Sequence, residues 1–326
     1  MNQNFFQSLP FGIIALCIMG SSWTLTGLVL GDAPKHAIPT SAVNRMGAIF
    51  SLVASVVIMC MTGAYPHGSA MTFALTLFFY ILTGFISAIM CLIMSLAMQA
   101  GPNGAIWTIV QSGTVWSFIG GILFFGVKAT PARLCGICLL LLALFLYGRT
   151  KDSDTSSPTS SQPIMLWGWR FSWLQLAFIC FALVGIQHNI TTIPSYFEQF
   201  RSISPIFRNL CVTIGTITGT FFWSITRHES HPFTFSHEIL TNRRFWMYVL
   251  SLQFFGLLFA YTLFYPGMDI LAKAGLGGMS YPLMVGSSII AFTLTSFLLL
   301  KERMRPLQIA ALVICIAGLL LLCRNA

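Results

Sequence analysis

The chain has 326 residues, 56% of them apolar and only 8% charged, with a formal net charge of +9. A soluble globular domain carries about a quarter charged residues, so that class is excluded. The basic residues are scattered through short polar stretches and form no single face, which excludes a nucleic-acid-binding surface and leaves the lipid bilayer as the solvent this composition fits.

Runs of about 20 apolar residues, each long enough to cross a bilayer, are predicted at 10–31, 42–63, 73–98, 104–126, 132–148, 171–190, 205–226, 245–270, 278–300 and 307–323. The expected fold class is an all-α integral membrane protein with ten transmembrane helices. The alternating strands of about ten residues that a membrane barrel requires do not occur. Lys35 is the first positive charge, so no basic region precedes the first run and no cleaved signal peptide is expected. The nine cysteines fall almost entirely inside apolar runs, and the Cys135–Cys138 pair has no second pair or histidine to complete a metal site. They are expected to be small packing residues.

The chain repeats itself. Ala100-Gly101 and Gly104 open the fourth run, and Ala274-Gly275 and Gly278 open the ninth, 174 residues later. Each run ends in a short basic turn, a proline (Pro131 or Pro306), a further apolar run and an arginine (Arg149 or Arg324). Gly113, Ser117 and Gly121 match Ser287, Ala291 and Thr295, all at spacing four, which puts small side chains on one helix face for close packing of the two spans. Further back, Ser41 and Arg45 open span two as Ser204 and Arg208 open span seven. The two copies flank a polar Ser/Thr/Pro-rich segment from Thr150 to Pro163, which cannot build a core and is expected to be a tether. The organisation expected is therefore a first five-helix repeat at 1–149, a linker at 150–168 and a second five-helix repeat at 169–326. Five crossings are odd, so the second copy enters from the opposite side and the repeats are inverted, an architecture of secondary transporters with a site between the halves.

These features together resemble the drug/metabolite transporter superfamily, EamA type: ten spans as five plus five, Arg45 and Arg208 early in spans two and seven, Ala-Gly before spans four and nine, and Lys301-Glu302-Arg303 before a proline-started last helix. The resemblance covers the whole chain. It implies a secondary-active transporter of a small polar metabolite, a sugar, an amino acid or similar, that is ion-coupled or an exchanger. Members often carry an acidic residue before span five, whereas this chain has Gly126-Val-Lys-Ala-Thr130 there, so Glu302 has no counterpart. No phosphate-binding glycine loop or nucleophile elbow occurs, so no cofactor and no enzymatic activity are expected. The alternatives are a non-transporting membrane scaffold or receptor, and an intramembrane enzyme, which the few dispersed acids disfavour.

The expected partners are the bilayer, a small-molecule substrate and, as a candidate coupling ion, the proton, in a monomer or homodimer. A multi-pass protein of the bacterial inner membrane is expected. Ten lysines and arginines fall in odd-numbered loops against five in even-numbered loops and the C-terminus, which places both termini outside, whereas many members of the superfamily have them inside.

Polar groups at membrane depth are costly unless paired or facing water, so they are the candidates for function. Arg45 and Arg208 are either electropositive gates at the two mouths, or structural residues that each snorkel to the nearer interface or tie a loop carbonyl. Gln187, His188 and Asn189 spread over about 200° of helix, so they line a cavity or mark the headgroup level. In a cavity His188 could carry a proton. Trp23, Trp107, Trp116, Tyr261 and Tyr281 lie within spans, either as packing residues or as stacking platforms for a ligand. Gln111 and Gln253 add amide donors and acceptors suited to hydroxyl or amide recognition. Asp269 follows Pro266-Gly267, which is expected to break span eight; the carboxylate is then a proton-coupling candidate, or an interfacial group paired with Lys273. His228, Glu229 and His231 form a reading one residue short of a zinc-protease motif, and a polar loop is expected there, with no metal.

Overall fold

The structure is a computed structural model that describes residues 7–66, 68–101, 103–152, 164–227, 235, 237–298 and 306–324. The central tether from 153 to 163, His228, Glu229, His231 and Lys301-Glu302-Arg303 lie outside the described residues. The helices are α1 Leu9–Asp32, α2 Thr40–Thr62, α3 Ala70–Ala100, α4 Asn103–Ser112, α5 Val115–Phe125, α6 Pro131–Asp152, α7 Trp173–Thr192, α8 Glu198–Arg201, α9 Pro205–Thr226, α10 His237–Thr241, α11 Arg243–Phe259, α12 Tyr265–Lys273, α13 Ser280–Leu298 and α14 Pro306–Cys323.

Local chemistry sets many of the helix ends. Ser69 accepts from the Thr72 N–H at 3.1 Å, Asn242 from the Arg244 N–H at 2.9 Å, and Ser172 and Gln175 cap α7 reciprocally. Among the described residues, seven helical stretches are long and apolar enough to cross a membrane: Leu9–His36, Thr40–Thr62, Ala70–Ala100, Ala105–Phe125, Trp173–Tyr196, Arg243–Lys273 and Pro306–Cys323. The protein is thus an all-helical membrane protein with one small hairpin. The predicted spans outside that set are α6, α9 and α13. In α9 the polar residues Arg208, Asn209 and Thr213 turn inward and are buried, so its low hydropathy reflects what it faces.

The one expected interruption is absent, and another appears where none was expected. Span four, predicted as one helix, bends between α4 and α5. The Gly113, Thr114, Trp116 and Ser117 N–H groups bond three residues back, which tightens the chain into a 3₁₀-like turn. Span eight, predicted to break at Pro266, continues instead. A π turn at Ala260–Phe264 joins α11 to α12, with the Tyr265 N–H reaching the Ala260 carbonyl. Widening the turn just before the proline relieves the clash between its ring and the preceding carbonyls, so the helix runs on past it.

The linker also differs from expectation. Ile164–Leu166 (β1) and Trp169–Phe171 (β2) pair as an antiparallel hairpin, Leu166 opposite Trp169. Trp167 and Gly168 both have positive φ, 51° and 81°, the geometry of a type I′ turn. Arg227 at the end of α9 donates to the Met165 carbonyl at 2.6 Å and anchors the hairpin.

Helices from the two predicted repeats interleave. α3 packs on α9 and α7, α1 on α13 and α12, α2 on α9 and α11, and α6 on α14. The α3–α9 crossing is set by Gly84 and Gly215. A Cβ at Gly84 would overlap the Val212 carbonyl, and one at Gly215 the Ile81 carbonyl, so the two backbones touch. The paired small-residue stripes do not pack spans four and nine together over their length. Gly113 faces Phe181 and Val184 of α7, and Ser287 faces Gly20 of α1. At the start of span nine, Gly121 and Ser117 both meet Gly278. The Thr295 side chain lies outside the described residues.

Candidate functional site

A cavity of about 310 Å³ lies where the helices of the two halves converge. Its wall takes residues from α1, α2, α3 and α4, and from α7, α9, α11 through α12, and α13. No described residue of α6 or α14 is on it, and these two helices pack on each other.

One side of the wall is aromatic. His188 stacks on Tyr281 with ring centroids 3.5 Å apart and 13° between planes, and Trp23 lies over His188 at 6.2 Å. His188 is only 4% exposed, and its Nδ1 has no hydrogen-bond partner among the described residues. Trp107 rests against Gly27, where a Cβ would come within 3.3 Å of the indole. The remainder is rich in amides and hydroxyls. Gln111, Gln187 and Gln253 are on the wall, the last leaning on Gly47.

Asn44, Asn209, Ser51, Thr83, Thr191 and Thr213 are also on the wall, and sequence reasoning did not single them out. Asn209 Nδ2 donates to Ser55 Oγ at 3.1 Å and to Ser51 Oγ at 3.4 Å. Ser51 and Thr213 hydroxyls lie 3.3 Å apart, and those of Thr83 and Thr191 3.2 Å apart. Asn44 and Asn209 each adjoin an arginine that had drawn notice, and that adjacency was the available signal. The hydroxyls carried none, because serine and threonine in a membrane helix commonly bond their own backbone.

Trp23, Trp107, Gln111, Gln187, His188, Gln253 and Tyr281 are therefore brought together on one wall. Asn189 and Tyr261 are not on it. Asn189 sits one residue, about 100° of helix, beyond His188. Its amide donates to the Trp116 carbonyl at 3.0 Å and the Gly185 carbonyl at 2.9 Å, tying α7 to α5. Tyr261 belongs to the π turn, whose Ala260 and Phe264 face the cavity in its place.

Both arginines are buried. Arg45 is 4% exposed, donates to Ser224 Oγ at 3.3 Å and has its guanidinium 5.1 Å from the Phe235 ring centre. Arg208 is 0% exposed. It donates to the carbonyls of Phe200, Arg201 and Ile203 and grips Asp269 with both terminal nitrogens, at 3.0 and 2.9 Å. Asp269 thus pairs with Arg208, where an interfacial pair with Lys273 had been an expectation. The continuous helix through the π turn holds it there.

No model of a protein family matches the chain, and no curated protein matches it by sequence. Its fold does recur among solved structures. One, described only as "Crystal structure of protein", aligns with a TM-score of 0.61 over 94% of this chain and 96% of the other, at 12% identity. At that identity the likeness concerns the fold alone.

Proposed function

We propose that this protein is a secondary-active transporter of a small polar metabolite, ion-coupled or an exchanger, built as ten transmembrane helices in two inverted five-helix repeats and related to the drug/metabolite transporter superfamily. The observation that carries the reading is the cavity: polar groups that are costly in a bilayer converge on one space lined by both halves.

The packing supports the repeat. Spans one to ten correspond to α1, α2, α3, α4–α5, α6, α7, α9, α11–α12, α13 and α14. Advancing each span by five carries one interface into another. The α3–α9 contact becomes α11–α2, α1–α13 becomes α7–α4, α3–α7 becomes α12–α1, and α4–α6 becomes α13–α14. The α2–α9 and α6–α14 contacts map onto themselves, as helices beside a two-fold axis must. The same operation exchanges the helices that line the cavity and leaves out α6 and α14, none of whose described residues is on it.

The inner membrane of a bacterium, with both termini outside by the charge count, completes the proposal. Proteoliposomes preloaded with candidate sugars, amino acids, nucleosides or amines should accumulate the labelled form of one of them by counterflow. Absence of counterflow for every compound that stabilises the purified protein against heat would sink the transporter reading.

A further inference from the structure

We propose, resting on the reading of this cavity as the substrate site, that its occupant is an uncharged molecule bearing hydroxyl or amide groups, and that carboxylates, phosphates and ammonium compounds are rejected. Among the described residues on the wall there is no Asp, Glu, Lys or Arg. The polar groups there are neutral: the amides of Asn44, Asn209, Gln111, Gln187 and Gln253, and a ring of serine and threonine hydroxyls. Each amide offers two donors and an acceptor, which suits ligand hydroxyls of either polarity. An ion placed among them is stripped of water without a counter-charge, which costs several kcal/mol even after relaxation.

The usual hidden sources of charge do not supply one. Arg208 lies behind Tyr265, a wall residue, but its terminal nitrogens are committed to Asp269 and to loop carbonyls. The pair presents no net charge to the cavity. The start of α5, where a broken membrane helix could offer its N–H groups to an anion, is closed on itself by the bonds from Trp116 and Ser117 to Gly113 and Thr114. His188 would need acceptors for two N–H groups if protonated. Among the described residues its Nδ1 has no partner and no carboxylate stands on the wall, so nothing there compensates a second proton.

Size and shape narrow the class. A space of 310 Å³ corresponds to about ten waters at roughly 30 Å³ each, so a molecule the size of a sugar or a nucleoside fits. The Trp23 and Trp107 indoles supply flat apolar surface for one face of a ring in such a molecule, while the amides and hydroxyls take its edges.

The test is a charge series on fixed scaffolds, read as thermal stabilisation of the full chain in detergent. Glucose is compared with glucuronate and glucosamine, and adenosine with its monophosphate. The neutral member of at least one scaffold should bind, and its charged counterparts should bind about tenfold more weakly or worse. Equal or tighter binding of a charged member overturns the proposal, as does failure of both neutral members. Gln253→Glu should reverse the order, favouring glucosamine over glucose, and Gln187→Glu repeats the test if the first variant does not fold. Neutral binding without counterflow would sink the transporter reading and leave this one standing. Counterflow of a charged compound would do the opposite.

Discussion

Asp269 reaches Arg208 across 61 residues of sequence, and the two side chains meet as a two-pronged ion pair between α12 and the start of α9. Arg208 is fully buried and Asp269 14% exposed. Removing one partner leaves the other charge buried and uncompensated, at a cost of about 3–5 kcal/mol. Asp269→Asn should therefore lower the unfolding temperature in detergent. The double variant Arg208→Met/Asp269→Leu should be less damaged than Asp269→Leu alone. Additive losses in a thermal double-mutant cycle would show that the two side chains do not act as a pair.

The α3–α9 crossing predicts a sharp contrast among glycines. Gly84→Ala and Gly215→Ala each press a methyl group into a facing carbonyl, and overpacking of this kind costs about 1–3 kcal/mol. Gly256→Ala meets nothing within 4 Å and should instead gain about 0.5–1 kcal/mol from its helix. Comparable unfolding temperatures for all three variants would mean that the backbones do not touch there.

Asn189 is expected to matter for stability and not for the ligand. Asn189→Ala removes the bond that ties α7 to the Trp116 carbonyl, at about 0.5–1.5 kcal/mol. Gly120→Ala should do similar harm, because its methyl group would occupy the place of the Asn189 amide oxygen. Both variants should keep the ligand preference of the parent protein when assayed below their unfolding temperatures. A changed preference would move Asn189 into the site.

Accessibility separates the wall from the bundle exterior. In a background lacking the nine native cysteines, Gln253→Cys should react with a small water-soluble thiol reagent, and a bound ligand should slow the reaction at least severalfold. Tyr261→Cys should show no such protection, since that residue is not on the wall. Ligand-independent labelling of Gln253→Cys would remove it from the site.

The helical class was legible because apolar runs of membrane length need only counting. The polar wall was partly legible, since Gln111, Gln187, His188 and Gln253 stand out against apolar neighbours. Two things were hidden. Which side of a helix a polar residue occupies depends on where its neighbours are bonded, which is why His188 and Asn189, adjacent in sequence, face different surroundings. Partnerships across the fold were hidden too: Arg208 and Asp269 were each conspicuous, but nothing local to either announces the other. Proline also misled at span eight, because its effect is decided by whether the preceding turn can widen, and span four bends at a 3₁₀-like turn with no proline in it.

The π turn at Ala260–Phe264 has a consequence for how the two halves can be compared. A π turn holds one residue more than the α turn it replaces, and one residue is about 100° of helical phase. Every side chain of α12 is therefore swung by that angle relative to an uninterrupted helix continuing α11. Asp269 faces Arg208 because of that offset. Deleting one residue between Ala260 and Phe264 would restore the simple period, leave the hydrophobic length nearly unchanged, and turn Asp269 away from its partner. Substitutions and deletions in this turn are thus different experiments: the first alters what faces the cavity, the second resets the angular frame of the rest of the span.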